Sequence, residues 1–304
     1  MDLRYDGRVV VVTGAGNGLG KCHALEFAKR GAKVVVNDLG GAGDGSGLDG
    51  GVAAQVVKEI EAFGGRAVAN TDSVEDGARI IEQAMDVYGK VDVLVNNAGI
   101  LRDTAFHKMD DASWDLIFRV HLLGAYRTTR AAWDCMRAAG YGRILMTTSA
   151  AGIYGNFGQS NYSAAKLGVL GLANTLAVEG GAKGVFTNTI APTAASRLTA
   201  TVMPQAMLDA LKPEYVTPLA TLLCHESSSE NGGLFEVGGG WVAKLRWEQA
   251  KGAMFEPGTM TAEALADHWE EVVSFADSRN PASIQDTLKT LGEKIGMKFG
   301  LSVQ

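Results

Sequence analysis

Short β-branched apolar runs alternate along this chain with longer stretches whose apolar positions recur at helical spacing. Arg8-Val-Val-Val-Val-Thr13 is apolar from Val9 to Val12 and is closed by glycines, which is the pattern of a strand buried on both faces of a parallel sheet. Leu19, Ala24, Leu25, Phe27 and Ala28 then mark a helix over Leu19 to Lys29, with Gly31 as its stop. The strand pattern returns at Lys33 to Asp38, Ala67 to Asn70 and Val91 to Asn96, with helical segments at Val52 to Phe63 and Asp76 to Tyr88 between them. A helix over Trp114 to Met136 leads into a strand at Gly142 to Thr148, and one over Tyr162 to Val178 leads into Val185 to Ile190. A last strand covers Leu234 to Val237. Strands and helices in strict alternation predict an α/β fold: a Rossmann-type doubly wound parallel sheet with helices on both faces.

Beyond Trp247 the pattern turns wholly helical. Leu265, Trp269 and Val272 share one helical face, and Ile284, Leu288, Leu291 and Ile295 share another. Thr261 and the Asn280-Pro281 pair are expected helix starts and Gly296 an expected end. The expected division is therefore a sheet domain over 1–247 and a C-terminal helical appendage over 248–304. The glycine-rich stretch Gly40 to Gly51 has two readings: a mobile loop beside whatever the second strand's end binds, or an insertion without a role.

Composition narrows the class. With 304 residues and 46% hydrophobic content, the chain can bury a full core in one large domain with or without an appendage. A formal net charge of -6 provides no footprint for a phosphate backbone, so no nucleic-acid partner is expected and a small molecule is. Three widely spaced cysteines, Cys22, Cys135 and Cys224, suit reduced thiols in an intracellular compartment, and with no metal-ligand spacing no metal is expected. The longest apolar runs are too short for a membrane span, and the charged Met1 to Arg8 start lacks a signal-peptide core.

Four groups of residues suggest chemistry. In Thr13-Gly-Ala-Gly-Asn-Gly-Leu-Gly20, lying between a predicted strand and helix, Gly14, Gly18 and Gly20 let the backbone approach a pyrophosphate while amides near Asn17, Gly18 and Leu19 open the helix toward it. Asp38 ends the second strand about twenty residues on, where a carboxylate accepts from ribose hydroxyls and repels a 2'-phosphate; that favours NAD over NADP. Tyr162-Ser-Ala-Ala-Lys166 places a phenol and an ammonium on one helical face, and a cation beside the phenol favours the phenolate, so Tyr162 can act as a base. Ser149 ends a predicted strand on the same carboxyl edge of the sheet.

Together these residues resemble the short-chain dehydrogenase/reductase family over about the first 245 positions, with Asp72-Ser73 and Asn96-Asn-Ala-Gly99 completing the motifs. The resemblance implies an NAD-binding enzyme domain in which Asp72 and Ser73 border the adenine and Asn97, Ala98 and Gly99 line the cofactor. It further implies that Ser149 orients the substrate oxygen, while Tyr162 and Lys166 serve both catalysis and the nicotinamide ribose. Pro192-Thr-Ala-Ala-Ser196 matches the family's Pro-Gly stretch, so Thr193 and Ser196 are expected at the nicotinamide, although threonine replaces the glycine. Where the family carries asparagine, this chain has His121, either a member of a water-linked proton relay or a buried structural histidine.

Longer strings, among them Gly99-Ile-Leu-Arg-Asp103, Gly152-Ile-Tyr-Gly-Asn-Phe-Gly-Gln159 and Lys244-Leu-Arg-Trp247, are similar to the (3R)-hydroxyacyl-CoA dehydrogenase units of peroxisomal β-oxidation enzymes. That similarity implies an acyl-CoA substrate, a 3-oxoacyl-CoA product, a peroxisomal setting and a homodimer paired through the Trp114 to Met136 and Tyr162 to Val178 helices. Ser302-Val-Gln304 is not a peroxisomal address, so the chain is expected to be an excised unit or a stand-alone relative. The stretch Thr193 to Tyr215, with Met203, Met207 and Leu211, is either a pliable lid over the acyl chain or ordinary core. A hydroxysteroid dehydrogenase, an NADP-dependent 3-oxoacyl reductase and a non-catalytic cofactor-binding scaffold are the competing functions.

Overall fold

A run of four valines is stable only where both faces are covered, and β1 at the middle of the sheet is such a place. The computed structural model describes residues 2–47, 50–194 and 204–296. Strand β1 (Val9–Thr13), buried throughout, turns through glycines into α1 (Gly18–Lys29). The unit recurs as β2 (Lys33–Asn37) with α2 (Gly51–Ala62), then as β3 (Arg66–Asn70) with α3 (Gly77–Tyr88) and β4 (Val93–Asn96). Helices α4 (Asp111–Phe118) and α5 (Gly124–Ala139) precede β5 (Gly142–Thr147), and α6 (Ala150–Tyr154) and α7 (Ser160–Gly181) precede β6 (Val185–Pro192). Helices α8 (Gln205–Ala210) and α9 (Thr217–Cys224) precede β7 (Leu234–Gly238) and β8 (Trp241–Leu245).

The sheet order is β3-β2-β1-β4-β5-β6-β7-β8, with β1 through β7 parallel. Strand parity divides the core in two. Val10, Val12, Val34, Val36, Val93 and Val95 face Ala24, Phe27, Ala53, Ile60 and Leu219, from α1, α2 and α9. Val11, Val35, Leu94, Ile144 and Met146 face Ile80, Ala84, Ala132, Trp133 and Val169, from α3, α5 and α7. Chain order reverses between β1's two neighbours, β2 and β4, and that reversal opens a crevice at the carboxyl edge of the sheet.

Three elements depart from the sequence expectation. The helix expected over Trp114 to Met136 is two helices joined by a π turn at Arg119–Leu123, because His121 bonds to the backbone of another loop there and the ladder takes up one extra residue. Strand β8 was not expected, although Gly239-Gly240, at φ of 58° and 81°, makes the tight turn that sends the chain back beside β7. Within residues 245–304, a second compact unit, the first expected helix is broken at His268 into α10 (Ala262–Asp267) and α11 (Trp269–Val273). Thr261 does cap α10, whereas α12 (Ile284–Ile295) starts from a Ser283/Asp286 capping box rather than at Asn280-Pro281, and ends at Gly296. Among the described residues no helix is long and apolar enough to cross a membrane.

At the opposite edge of the sheet, the Asp92 carboxylate accepts from the Val9 amide at 2.8 Å and pairs with Arg8 and Lys90, each at 2.9 Å. Asp92 is only 8% exposed at its side chain and Val9 fully buried, so no water replaces a lost acceptor. An Asp92→Ala variant is expected to lose about 2 kcal/mol of stability, read as a lowered midpoint in urea; an unchanged midpoint would refute the role given to this carboxylate.

Candidate active site

The turn between β1 and α1 is closed to side chains at two points. A Cβ on Gly14, at φ of +62°, would come within 2.8 Å of the Ala98 Cα, and one on Gly20 within 2.1 Å of the Gly14 carbonyl oxygen. The turn is also tied to β4: the Asn97 side-chain amide donates to the carbonyls of Thr13 and Gly14 at 3.0 and 3.1 Å. The Thr13 hydroxyl in turn accepts from the amides of Asn97 and Ala98 at 3.0 and 3.1 Å. Asn17 and Gly18 stand exposed at the start of α1, whose first amides have no partner in their own helix and face the crevice with the positive end of the helix dipole.

The Asp38 carboxylate is fixed at both oxygens, by the Gly16 amide at 2.8 Å and the Gly40 amide at 2.8 Å. A Cβ on Gly16 would sit 2.7 Å from that carboxylate, so the glycine is needed for the carboxylate to reach the turn. At the neighbouring strand ends, Asn37 donates to Asn70 and to the Asp72 carbonyl, and Asn70 donates to the Asp72 carboxylate at 2.8 Å. Arg79 pairs with Asp72, and the Ser73 hydroxyl accepts from the Glu75 amide. Asp72 and Ser73 thus lie on the same carboxyl edge as Asp38.

Across the crevice, Ser149 follows β5 and caps α6, its Oγ accepting from the Ala151 amide at 3.1 Å. The same hydroxyl is close enough to Tyr162 to lower the phenol's pKa. Lys166, 4% exposed, lies one turn along α7; its Nζ donates to the Thr147 carbonyl at 2.7 Å and stands 5.5 Å from the Tyr162 ring centroid. Burial lowers the Lys166 pKa to about 7. Burial also pushes the Tyr162 phenol up, the Ser149 hydrogen bond opposes that, and the charge of Asp103 adds to it. Hence the depression of Tyr162 expected from a neighbouring ammonium is not what the chain alone produces.

His121 is 4% exposed and packs edge-on against Tyr162 with ring centroids 5.2 Å apart. Its Nε2 lies 2.8 Å from the Ile100 carbonyl oxygen and 3.1 Å from the Ile100 amide, and Gly99 has no room for a Cβ beside the ring. Burial, then Lys166, hold the imidazole well below its ordinary pKa, so it is neutral. Its Nδ1 is buried without a protein partner, and His121 lines a small cavity of mixed character with Thr13, Asn96, Thr147 and Lys166 on one hand and Val74, Val120 and Val169 on the other.

Thr193 continues past β6 by donating its amide to the Val237 carbonyl at 2.8 Å, and among the described residues no non-glycine has positive φ, so the threonine takes the glycine's place without strain. Ser196 and Met203 lie outside the described residues; Met207 and Leu211 sit on or just after α8, with Met207 about half exposed. Sequence reasoning missed Asn161, fully buried, whose Oδ1 accepts from the Tyr162 amide at 2.7 Å and whose Nδ2 donates to the Arg102 carbonyl at 3.2 Å. Its place directly before Tyr162 was the available signal.

A family model described as short chain dehydrogenase matches residues 8–207. The chain is 58% identical over 287 residues to peroxisomal multifunctional enzyme type 2 of Mus musculus, covering 94% of this chain and 39% of that protein. Among solved structures, the full-length peroxisomal multifunctional enzyme type 2 from Drosophila melanogaster is similar with a TM-score of 0.82 at 44% identity, over 96% of this chain and 50% of that one. A short chain dehydrogenase from Mycobacterium avium is similar with a TM-score of 0.77 at 42% identity, over 89% of this chain and 97% of that one. The chain therefore spans well under half of the mouse relative's length.

The buried ammonium has a measurable cost. Unfolded, Lys166 titrates near its ordinary 10.5, and folded near 7, so between those values the unfolded chain holds the extra proton and stability rises with pH. Below pH 7 the full cost is present. A Lys166→Met variant is accordingly expected to melt above wild type, by the widest margin at pH 6 and by less as pH approaches 10. Thermal unfolding across that range checks the slope, and a margin that grows with pH would contradict the burial argument.

Proposed function

Since the chain belongs to the short-chain dehydrogenase family, we propose that it oxidises the 3-hydroxyl of a (3R)-hydroxyacyl-CoA to the 3-oxoacyl-CoA. The observation that carries this reading is the buried Lys166 one helical turn from Tyr162, its Nζ 5.5 Å from the tyrosine ring centroid and bonded to the Thr147 carbonyl, beside Ser149 and across the crevice from the glycine turn. Ser149 holds the substrate oxygen. Tyr162, ionised, takes its proton as the carbonyl forms, and Lys166 balances the charge on the phenolate. Bound NAD+ would supply the hydride acceptor, taking the carbon-bound hydrogen with its electron pair. The acyl-CoA class comes from the likeness to peroxisomal multifunctional enzymes.

NAD rather than NADP fits Asp38, whose pinned carboxylate is pre-set to accept from ribose hydroxyls and would face a 2'-phosphate with like charge. Gly14, Asn17, Gly18, Leu19 and Gly20 would take the pyrophosphate end, Asp72 and Ser73 the adenine. Asn97, Ala98 and Gly99 would line the cofactor, and Thr193 and Ser196 would lie beside the nicotinamide, with Lys166 on its ribose. His121 takes part by holding the loop at Ile100 near Tyr162, with its Nδ1 available to a water-linked proton relay through the small cavity it lines. The proposed NAD-binding domain is 1–247 and the helical extension 248–304, whereas the compact units divide after Lys244. Outward-facing Leu123, Tyr126, Leu167 and Val178, 38 to 73% exposed on or beside α5 and α7, supply an apolar surface for a homodimer. The relatives' names support a peroxisomal setting.

The test is NADH formation with both enantiomers of 3-hydroxyacyl-CoA at several chain lengths, alongside a hydroxysteroid and NADP+. Turnover is expected for the 3R series with NAD+, and a Tyr162→Phe variant is expected to fall by at least about 100-fold. Near-wild-type turnover in that variant, or turnover of the steroid alone, would overturn the reading.

A further inference from the structure

The glycine-rich segment after β2 has a partner. The Leu101 amide donates to the Gly43 carbonyl at 2.9 Å, and the Arg102 Nε donates to the Asp44 carbonyl at 2.7 Å. Internal bonds hold the segment in one shape: the Ala42 amide to the Ser46 carbonyl at 2.7 Å, the Gly45 amide to the Ala42 carbonyl at 2.9 Å, and the Ser46 amide and hydroxyl to the Asp44 carboxylate. Gly45, at φ of +83°, lies so close to Ile100 that a Cβ there would stand 3.0 Å from its Cδ1. Residues 40–47 are thus a shaped loop seated on residues 100–102.

Where that contact runs follows from topology. Strand β1 lies between β2 and β4, so a bridge from the loop after β2 to the loop after β4 has to cross the carboxyl end of β1, where the glycine turn begins. The two loops also serve opposite faces of the sheet, since β2 feeds α2 on one core and β4 feeds α5 on the other. The bridge accordingly passes over the crevice. At one foot the Gly40 amide holds the Asp38 carboxylate; at the other the Arg102 carbonyl is held by the buried Asn161, which also holds Tyr162.

We infer that residues 40–47 form a strap across the dinucleotide cleft and that Arg102 is a positioning residue which keeps it shut. This rests on the dinucleotide reading above. The strap has to lift for a cofactor to enter or leave, and once shut it keeps Gly40 on Asp38. Arg102 touches no reacting atom; its side chain acts on the loop, while its carbonyl stays on Asn161 whatever the side chain is. Cofactor release is therefore set by opening of the strap.

The test measures NADH dissociation by stopped-flow fluorescence on the full chain, with the KM for NAD+ measured in parallel. Arg102→Met keeps the aliphatic stem and removes the donor; Gly45→Val drives a side chain into Ile100 and unseats the loop from the other side. Each is expected to speed NADH release by about tenfold and to raise the KM for NAD+ rather than lower kcat. Arg102→Lys is expected to recover part of the effect. Release within about twofold of wild type in both Arg102→Met and Gly45→Val, or a loss confined to kcat, would overturn the strap. Wild-type chain that binds no NADH would instead sink the dinucleotide reading itself, and the strap with it.

Discussion

An ammonium taken out of water needs an acceptor, and at the end of β5 the acceptor of Lys166 is the Thr147 carbonyl. Much of the site is arranged around that requirement. The Thr148 hydroxyl donates to the Lys166 carbonyl at 2.6 Å, and Gly152 leaves α6 free to lie against α7, since a Cβ there would be 2.9 Å from that of Lys166. His121 stays neutral partly because Lys166 is near. The strand end, α6 and α7 thereby meet at the backbone and side chain of Lys166, which sets Tyr162 near Ser149.

A second constraint works on the other side of the crevice. Thr13 and Asn97 join the glycine turn to β4 through four hydrogen bonds, two to the Thr13 hydroxyl and two from the Asn97 amide. Because Asn97 precedes Ala98, Gly99 and the Ile100 that His121 holds, the glycine turn and the proposed catalytic end share one short stretch of backbone. A shift of the glycine turn would reach the tyrosine through that stretch. The fold's contribution to chemistry is this rigidity at the switch point, where chain order reverses and no strand fills the gap.

The parallel strands were legible because full burial leaves no polar position, a pattern that few other structures produce; Val9 to Val12 is the clearest case. The glycine turn was legible for a similar reason, since only glycine fits where Gly14 and Gly20 meet backbone. The π turn at His121 was not, because its apolar spacing differs little from that of an unbroken helix and its cause is a contact with Ile100. Arg102 was equally opaque. Its partner is a carbonyl 58 residues away, and backbone carbonyls carry no sequence signature. Ser149 shows the limit in another form: its place at a predicted strand end suggested chemistry, and nothing there announced that its hydroxyl also caps α6.

Burial opposes both charges that the chemistry needs, raising the Tyr162 phenol and lowering the Lys166 ammonium. Taken singly, either ion is costly in this environment. Taken together, a phenolate and an ammonium one helical turn apart stabilise each other, and the low dielectric that penalises each alone strengthens their attraction. The same desolvation that makes Lys166 expensive to fold also raises the Tyr162 phenol, so the proposed ionised tyrosine would need its neighbours in place.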